Sequence, residues 1–287
     1  MKRSNLSDPY STRDFATRWT VRLLLAIYSV IVMYPLLWNL MSSFKTNQEI
    51  LISRTAWPQG FAYDNYIRAF SAANMSGFLI NSIIVVVVGL ALLLIFSVPL
   101  SYAMARYKFF GSRALELIFA ACLFIQTIYI IIPLYSLLFN LGLLDNLIAL
   151  SLVYASVSIP FTSFLLAGYM RTISQSYEEA ARIDGCSNFR ILLHIIVPMA
   201  KPGIITVTML NGISFWNEYP MALVMLRNPA YQTVPIGVAN LFERQMRATD
   251  FGALYAALIM VLVPVVIIYL IGQRHLIRGI GAGGIKE

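Results

Sequence analysis

Six stretches of this 287-residue chain are apolar for long enough to cross a bilayer as helices, at about 23 to 43, 78 to 102, 114 to 138, 147 to 169, 203 to 226 and 253 to 273. A hydrocarbon core of about 30 Å takes roughly 20 mainly apolar residues at helical rise, so each is a predicted span. Between the fourth and fifth runs the pattern changes. The segment EEAARIDGCSNFRILLHIIVPMAKPG, residues 178–203, carries Arg182, Asp184, Arg190, His194 and Lys201 and cannot cross, yet it is periodic. Ser176 precedes Glu179 by three residues, the capping-box spacing, which predicts a short helix starting there. Ala180 and Ala181 give that helix a small-residue face, and Asp184-Gly185 is expected to end it with a left-handed residue. Ser187 is the expected cap of a second helix from about Asn188, with Ile191, Leu192, Ile195 and Ile196 as its apolar stripe. Pro198 and Pro202 are expected to stop that helix before the next span. By pattern alone, two such helices also suit a headgroup surface.

Composition agrees with an all-α integral membrane protein: 59% of residues are hydrophobic and 12% charged, with a mean hydropathy of +0.74. Six spans put both termini on one side, and cationic segments resist translocation. One face collects Lys2, Arg3, Arg13, Arg18, Arg22, Arg106, Lys108, Arg113, Arg171, Arg182, Arg190, Lys201, Arg274, Arg278 and Lys286; the other has Lys45, Arg54, Arg68, Arg227, Arg244 and Arg247. Both termini and the insert are therefore expected in the cytoplasm. The organisation that follows is a cytoplasmic segment 1–22, a six-helix domain 23–273 including the insert 171–202, and a cytoplasmic tail 274–287. The first 22 residues are too long and diffuse for a signal-peptide n-region, so the first span is expected to remain uncleaved. The same scatter of cations accounts for the net charge of +8 without nucleic-acid binding.

Chemistry-bearing residues are sparse. Cys122 and Cys186 form neither a disulfide framework nor a metal-ligand spacing, and His194 and His275, both flanked by charge, read as surface histidines. No G-x-x-x-x-G-K-[ST] loop is present, and Gly281-Ala282-Gly283-Gly284 lacks the lysine, so no catalytic, metal or ATP site is expected in this chain.

Glu179-Ala180-Ala181, three residues, Gly185, nine residues, then Ile195-Ile196-Val197-Pro198 resembles the EAA motif of the permease subunits of ATP-binding-cassette importers, with Val197 where leucine is usual. Further stretches are similar to the carbohydrate branch, in particular the maltose-type second permease. They are Ser43-Phe44-Lys45, Asn81-Ser82, Ser101 to Arg106, Ile132 to Tyr135, Trp216-Asn217-Glu218, Thr233 to Gly237 and Arg278 to Lys286. The run Phe124 to Tyr129 lacks the proline that the family usually carries in the third span.

That resemblance implies a type I importer permease in a bacterial or archaeal cell membrane, forming half of a sugar path. It implies a paralogous permease, two ATPase subunits that bind ATP and magnesium, an extracytoplasmic solute-binding protein, and lipid around the whole. The insert would be a coupling helix for an ATPase, using Glu179, Ala180, Ala181, Asp184, Gly185, Arg190 and Pro198. Polar residues within spans are costly unless they face a cavity or another helix, which makes Asn81, Gln126, Asn211, Trp216, Asn217 and Glu218 the candidate substrate path. Trp216 suits stacking on a pyranose and equally suits an interfacial anchor. The outer loop from Arg227 to Asp250, with Phe242, Glu243, Arg244, Gln245 and Met246 at its tip, is the expected contact for the solute-binding protein. An ion-gradient-driven carrier is the alternative, with Glu218 as its intramembrane acid.

Overall fold

The computed structural model describes residues 10–71, 74–248 and 250–283, with side chains over 17–71, 74–243 and 250–273. The sequence-predicted cations Lys2, Arg3 and Lys286 lie outside the described residues, as do the side chains of Arg13, Arg244, Gln245, Met246, Arg274, His275 and Arg278.

Regular structure among these residues is helical. A long α1 (Tyr10–Ser42) leads through two short helices, α2 (Asn47–Ile52) and α3 (Asp64–Ser71), into α4 (Met75–Arg106). Next come α5 (Ser112–Cys122), α6 (Thr127–Asn140) and α7 (Leu147–Arg171). The insert is α8 (Ser176–Ile183) and α9 (Asn188–Ile191), running through a π turn (Leu192–Ile196) into α10 (Val197–Met199). The chain then forms α11 (Lys201–Asn217), α12 (Pro220–Met225), a 3-10 turn (Pro229–Tyr231), α13 (Val234–Ala248) and α14 (Phe251–Gly283).

Among the described residues, four helices are individually long and apolar enough to cross a membrane: Thr17–Ser42, Met75–Arg106, Leu147–Arg171 and Phe251–Gln273. Two bent pairs complete six only if each pair is one span. Ser112–Cys122 and Thr127–Asn140 meet at 104°, and Asn188–Met199 and Lys201–Asn217 at 76°. The third run, expected to be continuous over 114 to 138, is thus broken at Leu123 to Gln126, where Gln126 is extended (φ −72°, ψ 135°). The break needs no proline; Pro133 lies inside α6. The fifth run, expected over 203 to 226, ends instead at Asn217, because Pro220 cannot continue α11 and occupies the first turn of α12.

Pro198 also departs from expectation. The chain stays helical through it to Met199, and the direction changes at Ala200 (φ −81°, ψ 0°). Just before Pro198 the ladder widens, with the Val197 N–H reaching back to the Leu192 carbonyl. A proline has no N–H to give, so the regular ladder is already interrupted at this point.

The main core lies between α4 and α7, where Val85, Val86 and Leu93 pack with Leu150, Val153 and Tyr154, joined by Phe215 and Trp216 of α11. Lipid tails are as apolar as these side chains, so close packing rather than removal from water holds this part together. A second cluster joins Tyr102, Met170, Ile173, Ala181, Ile191, Leu192, Ile196 and Ala200 beneath the insert. By contrast, the most apolar stretch of α1 has none of its residues buried; it meets α14 where Trp38 and Tyr255 pack edge-on at 5.3 Å.

The end of the bundle opposite the insert is tied by side chains bonding to backbone. Asn65 donates to the Ser43 and Lys45 carbonyls, both at 2.8 Å, and Arg68 and Asn47 donate to the Asp250 carboxylate at 2.9 and 3.2 Å. Asn81 donates to the Ala230 and Gln232 carbonyls at 2.9 Å, and the Ser82 hydroxyl accepts from the Val234 N–H at 2.9 Å. Gly237 has to be glycine, since a Cβ there would stand 2.1 Å from the Phe78 ring. Three of the stretches that carry the family resemblance, around Ser43, Asn81 and Thr233, therefore take part in the polar ties at this end of the bundle.

Candidate functional site: the insert and its anchor

The first turn of α8 is not closed as the capping-box spacing predicts. Gln175 occupies the cap position without a side-chain bond, and Ser176 pairs its hydroxyl with Ser174 at 2.8 Å. Glu179, freed from that role, is exposed. The other end of α8 forms as expected and more completely. Gly185 is left-handed (φ 79°), its N–H donates to the Arg182 carbonyl at 3.1 Å, and the Cys186 N–H donates to the Ala181 carbonyl at 2.9 Å. That pair of bonds is the Schellman closure, and Ala181 and Cys186 pack in the same apolar cluster. Ser187 caps α9 as predicted, accepting from the Arg190 N–H at 3.4 Å.

Two faces result. Outward lie Glu179, Ala180, Asp184, Gly185, Arg190 and Pro198, all exposed. Tyr177, Ile183 and Phe189 join them, 53%, 87% and 69% exposed. Ala181 and Ile196 of the motif turn inward. Exposed apolar side chains here alternate with acids and an arginine on a segment too polar to cross, which makes this face a candidate contact surface.

The inward face carries a residue that the motif reading passed over. Glu178 is 2% exposed. The Tyr102 hydroxyl donates to its carboxylate at 2.9 Å, Arg106 Nε donates to the other oxygen, and Arg182 approaches at 3.8 Å. Arg106 also donates to the Ile173 carbonyl at 2.7 Å. Arg171, at the end of α7, donates in return to the Met104 carbonyl near the end of α4 at 3.2 Å and pairs with Glu116 of α5. Helices α4 and α7 thus close each other's last turns with arginines, where cations are favoured, and Glu178 locks α8 onto that clasp. The sequence signal was the spacing of Glu178, Ala181 and Arg182, which puts all three on one side of a helix.

The candidate path residues separate into two groups. Asn81 is committed to those polar ties. Asn211 is buried and donates to Thr162 at 3.0 Å and to the Val207 carbonyl at 2.8 Å. Trp216 is 3% exposed and donates to the Val261 carbonyl at 3.3 Å, so its ring is a core element and offers no face for stacking. Asn217 bonds back to Ile213 at 2.9 Å. Glu218 accepts from the N–H groups of Met221 and Ala222 at 2.8 and 3.0 Å and from the Tyr154 hydroxyl, closing the start of α12. Trp216, Asn217 and Glu218 therefore do not act as one cluster.

A cavity of about 520 Å³ is present instead where the broken third span faces α7 and α11, lined among others by Cys122, Thr127, Ser156, Ser158, Asn211 and Ser214. Gln126 stands at the break, exposed, with no side-chain bond to cap α6. Irregular backbone at membrane depth persists only against protein or a water-filled space, and the break faces this cavity, whose largely apolar wall, with Leu123, Ile130, Phe161 and Leu210, carries a few hydroxyls and one amide. The expected loop tip at Phe242 to Met246 is not a loop: it lies in α13, with Phe242 and Glu243 exposed.

Comparison with known proteins gives the family and the fold over most of the chain. Residues 97–281 match the family described as binding-protein-dependent transport system inner membrane component. The diacetylchitobiose uptake system permease protein NgcG of Streptomyces coelicolor is 35% identical over 91% of this chain and 86% of its own. The sulfoquinovosyl glycerol transport system permease protein SmoH of Agrobacterium fabrum is 33% identical, covering 88% and 89%. The arabinooligosaccharides transport system permease protein AraQ of Halalkalibacterium halodurans is 30% identical, covering 93% and 96%. A chain in the crystal structure of a bacterial ABC transporter involved in the import of the acidic polysaccharide alginate superposes with a TM-score of 0.80 at 27% identity, over 92% of this chain and 98% of that one. The insert, its clasp and the broken span all lie inside the matched region, and the chain belongs to the binding-protein-dependent transport system inner membrane components.

Proposed function

We propose that this chain is one of two paired permease subunits of an ATP-driven importer of oligosaccharides. The observation that carries the reading is the two-faced insert: a docking surface around Glu179, Ile183 and Phe189, fixed from behind to α4 and α7 through Glu178. A partner ATPase, binding ATP and magnesium, engages that surface. The excess of cations on the insert's face of the bundle supports a cytoplasmic position for it and for both termini. Relatives named for diacetylchitobiose and arabinooligosaccharides support a saccharide cargo. The cavity at the third-span break is this chain's share of the path, and the bare flank of α1 faces the second permease and lipid. Helix α13, with Phe242 and Glu243 exposed, lies at the end of the bundle where a solute-binding protein docks.

An ion-gradient-driven carrier needs an intramembrane acid free to load. Glu218 has its carboxylate engaged by two N–H groups and Tyr154, which removes the group that reading depends on. The test is reconstitution in sealed vesicles with the second permease, the ATPase, the binding protein and a panel of labelled oligosaccharides. Uptake is expected to need ATP and to vanish when the second permease is omitted. Uptake without ATP that an ionophore abolishes would overturn the proposal.

A further inference from the structure

We infer that Glu178 is the positioning residue that joins the insert to the membrane helices, while the neighbouring Glu179 serves the docking surface. The inference rests on the coupling role proposed above and assigns its parts. Two adjacent glutamates point in opposite senses, Glu179 exposed and Glu178 2% exposed. The pair that Glu178 makes with Arg106 is dry on both sides, with side chains 3% and 4% exposed, and the Tyr102 hydroxyl occupies the other carboxylate oxygen. Arg106 continues the connection to the Ile173 carbonyl, in the turn after α7. One carboxylate therefore gathers α8, the last turn of α4 and the exit of α7.

Few other polar links join the insert to the helices: Arg182, 46% exposed, approaches Glu178 only at 3.8 Å and lies beside Tyr107. Beneath α8 and the π turn the contacts are apolar: Ala181, Ile191, Leu192 and Ile196 against Tyr102, Met170 and Ile173. Apolar packing has no direction and permits sliding; a charge pair with hydrogen bonds on both oxygens has one geometry. A force applied at Glu179 and Ile183 reaches α4 and α7 without slack only while Glu178 holds Arg106. Removing one partner of such a pair leaves the other charge buried and uncompensated, which loosens the joint.

The experiment uses the full assembly of both permeases, ATPase and binding protein in vesicles, and reads three quantities: assembled complex per membrane, ATPase retained per complex, and saccharide taken up per ATP hydrolysed. For Glu178→Gln the ATPase is expected to stay bound and hydrolysis to continue, while uptake per ATP falls about tenfold or more because Arg106 is left without its counter-charge. Glu178→Asp keeps the charge and is expected to restore part of the ratio; Tyr102→Phe, which removes only one neutral donor, is expected to lower it less. Should Glu178→Gln assemble poorly, Arg106→Lys keeps the charge, gives up the bond to Ile173, and is expected to lower the same ratio. Uptake per ATP at the parent level in the assembled Glu178→Gln complex would overturn the inference, leaving a merely structural residue. So would loss of the ATPase matching that in Glu179→Gln, which would place Glu178 on the docking surface. Failure of the parent assembly to couple uptake to ATP would instead sink the importer reading.

Discussion

At residue scale, Gly185 shows what the turn of the insert requires physically. It closes α8 in a left-handed conformation, and a Cβ added there would meet nothing within 4 Å. A substitution therefore brings conformational cost without a clash, about 1 kcal/mol for alanine, and less for aspartate, which tolerates this region better. Stability and transport accordingly come apart. Gly185→Ala is expected to destabilise slightly and to transport well. Gly185→Asp is expected to assemble with the second permease at normal levels, yet to lose most ATPase retention and transport, since its new charge lies on the face proposed to dock the ATPase. Pull-down of the ATPase from membranes carrying each variant checks this; full retention with Gly185→Asp would remove that surface from the ATPase interface. The glutamates next to it mark how far sequence reasoning reached. Spacing located the insert, its turn and the Ser187 cap, but the capping-box reading chose Glu179. Glu178 has its partner 72 residues upstream, and no local pattern carries that information.

Among elements, the polar ties around α14 make a prediction about pH. Burial pushes the Asp250 carboxyl up, but the donors Arg68, the Ala253 N–H and Asn47 outweigh burial and hold it below the ordinary aspartate value. A depressed folded value means the carboxylate stabilises the fold above the unfolded value of about 4 and ceases to do so as pH falls through the folded one. Because Arg68 and Asp250 are 44% and 33% exposed, the contribution is about 1 kcal/mol or less. Asp250→Asn is expected to lower the melting temperature slightly at neutral pH and to flatten its decline below about pH 4; parallel acid limbs in variant and parent would contradict this. The same ties show why helices were more legible than their joints. Long apolar runs revealed α4, α7 and α14. Pro220 marked the end of α11 and was overridden by the apolar residues on either side of it. At Leu123 to Gln126 no glycine or proline marks the bend at all. Asn81, Asn211 and Trp216, expected along a substrate path, instead spend their polar groups on partners within the bundle. Their partners, the Gln232 carbonyl, Thr162 and the Val261 carbonyl, are set by tertiary packing.

For the whole molecule, the bent third span raises a question of time. Residues 112–140 leave the ribosome before α7 and α11 exist, and those two helices supply the far wall of the cavity that tolerates the break. Bare N–H and C=O groups cannot face hydrocarbon meanwhile. Read as one span, the segment satisfies its own backbone in lipid best as a single straight helix, so its bend is expected to form when its later neighbours arrive. Cys122, on the cavity wall, reports the change once Cys186 is replaced by serine. In chains halted after Asp145 a charged thiol reagent is expected to leave Cys122 unlabelled, and in the complete chain to label it; labelling in the short chain would show that the bend forms unaided. The same residues therefore have to suit lipid while the chain is being made and the polar groups of Ser156, Ser158, Asn211 and Ser214 once α7 and α11 stand opposite.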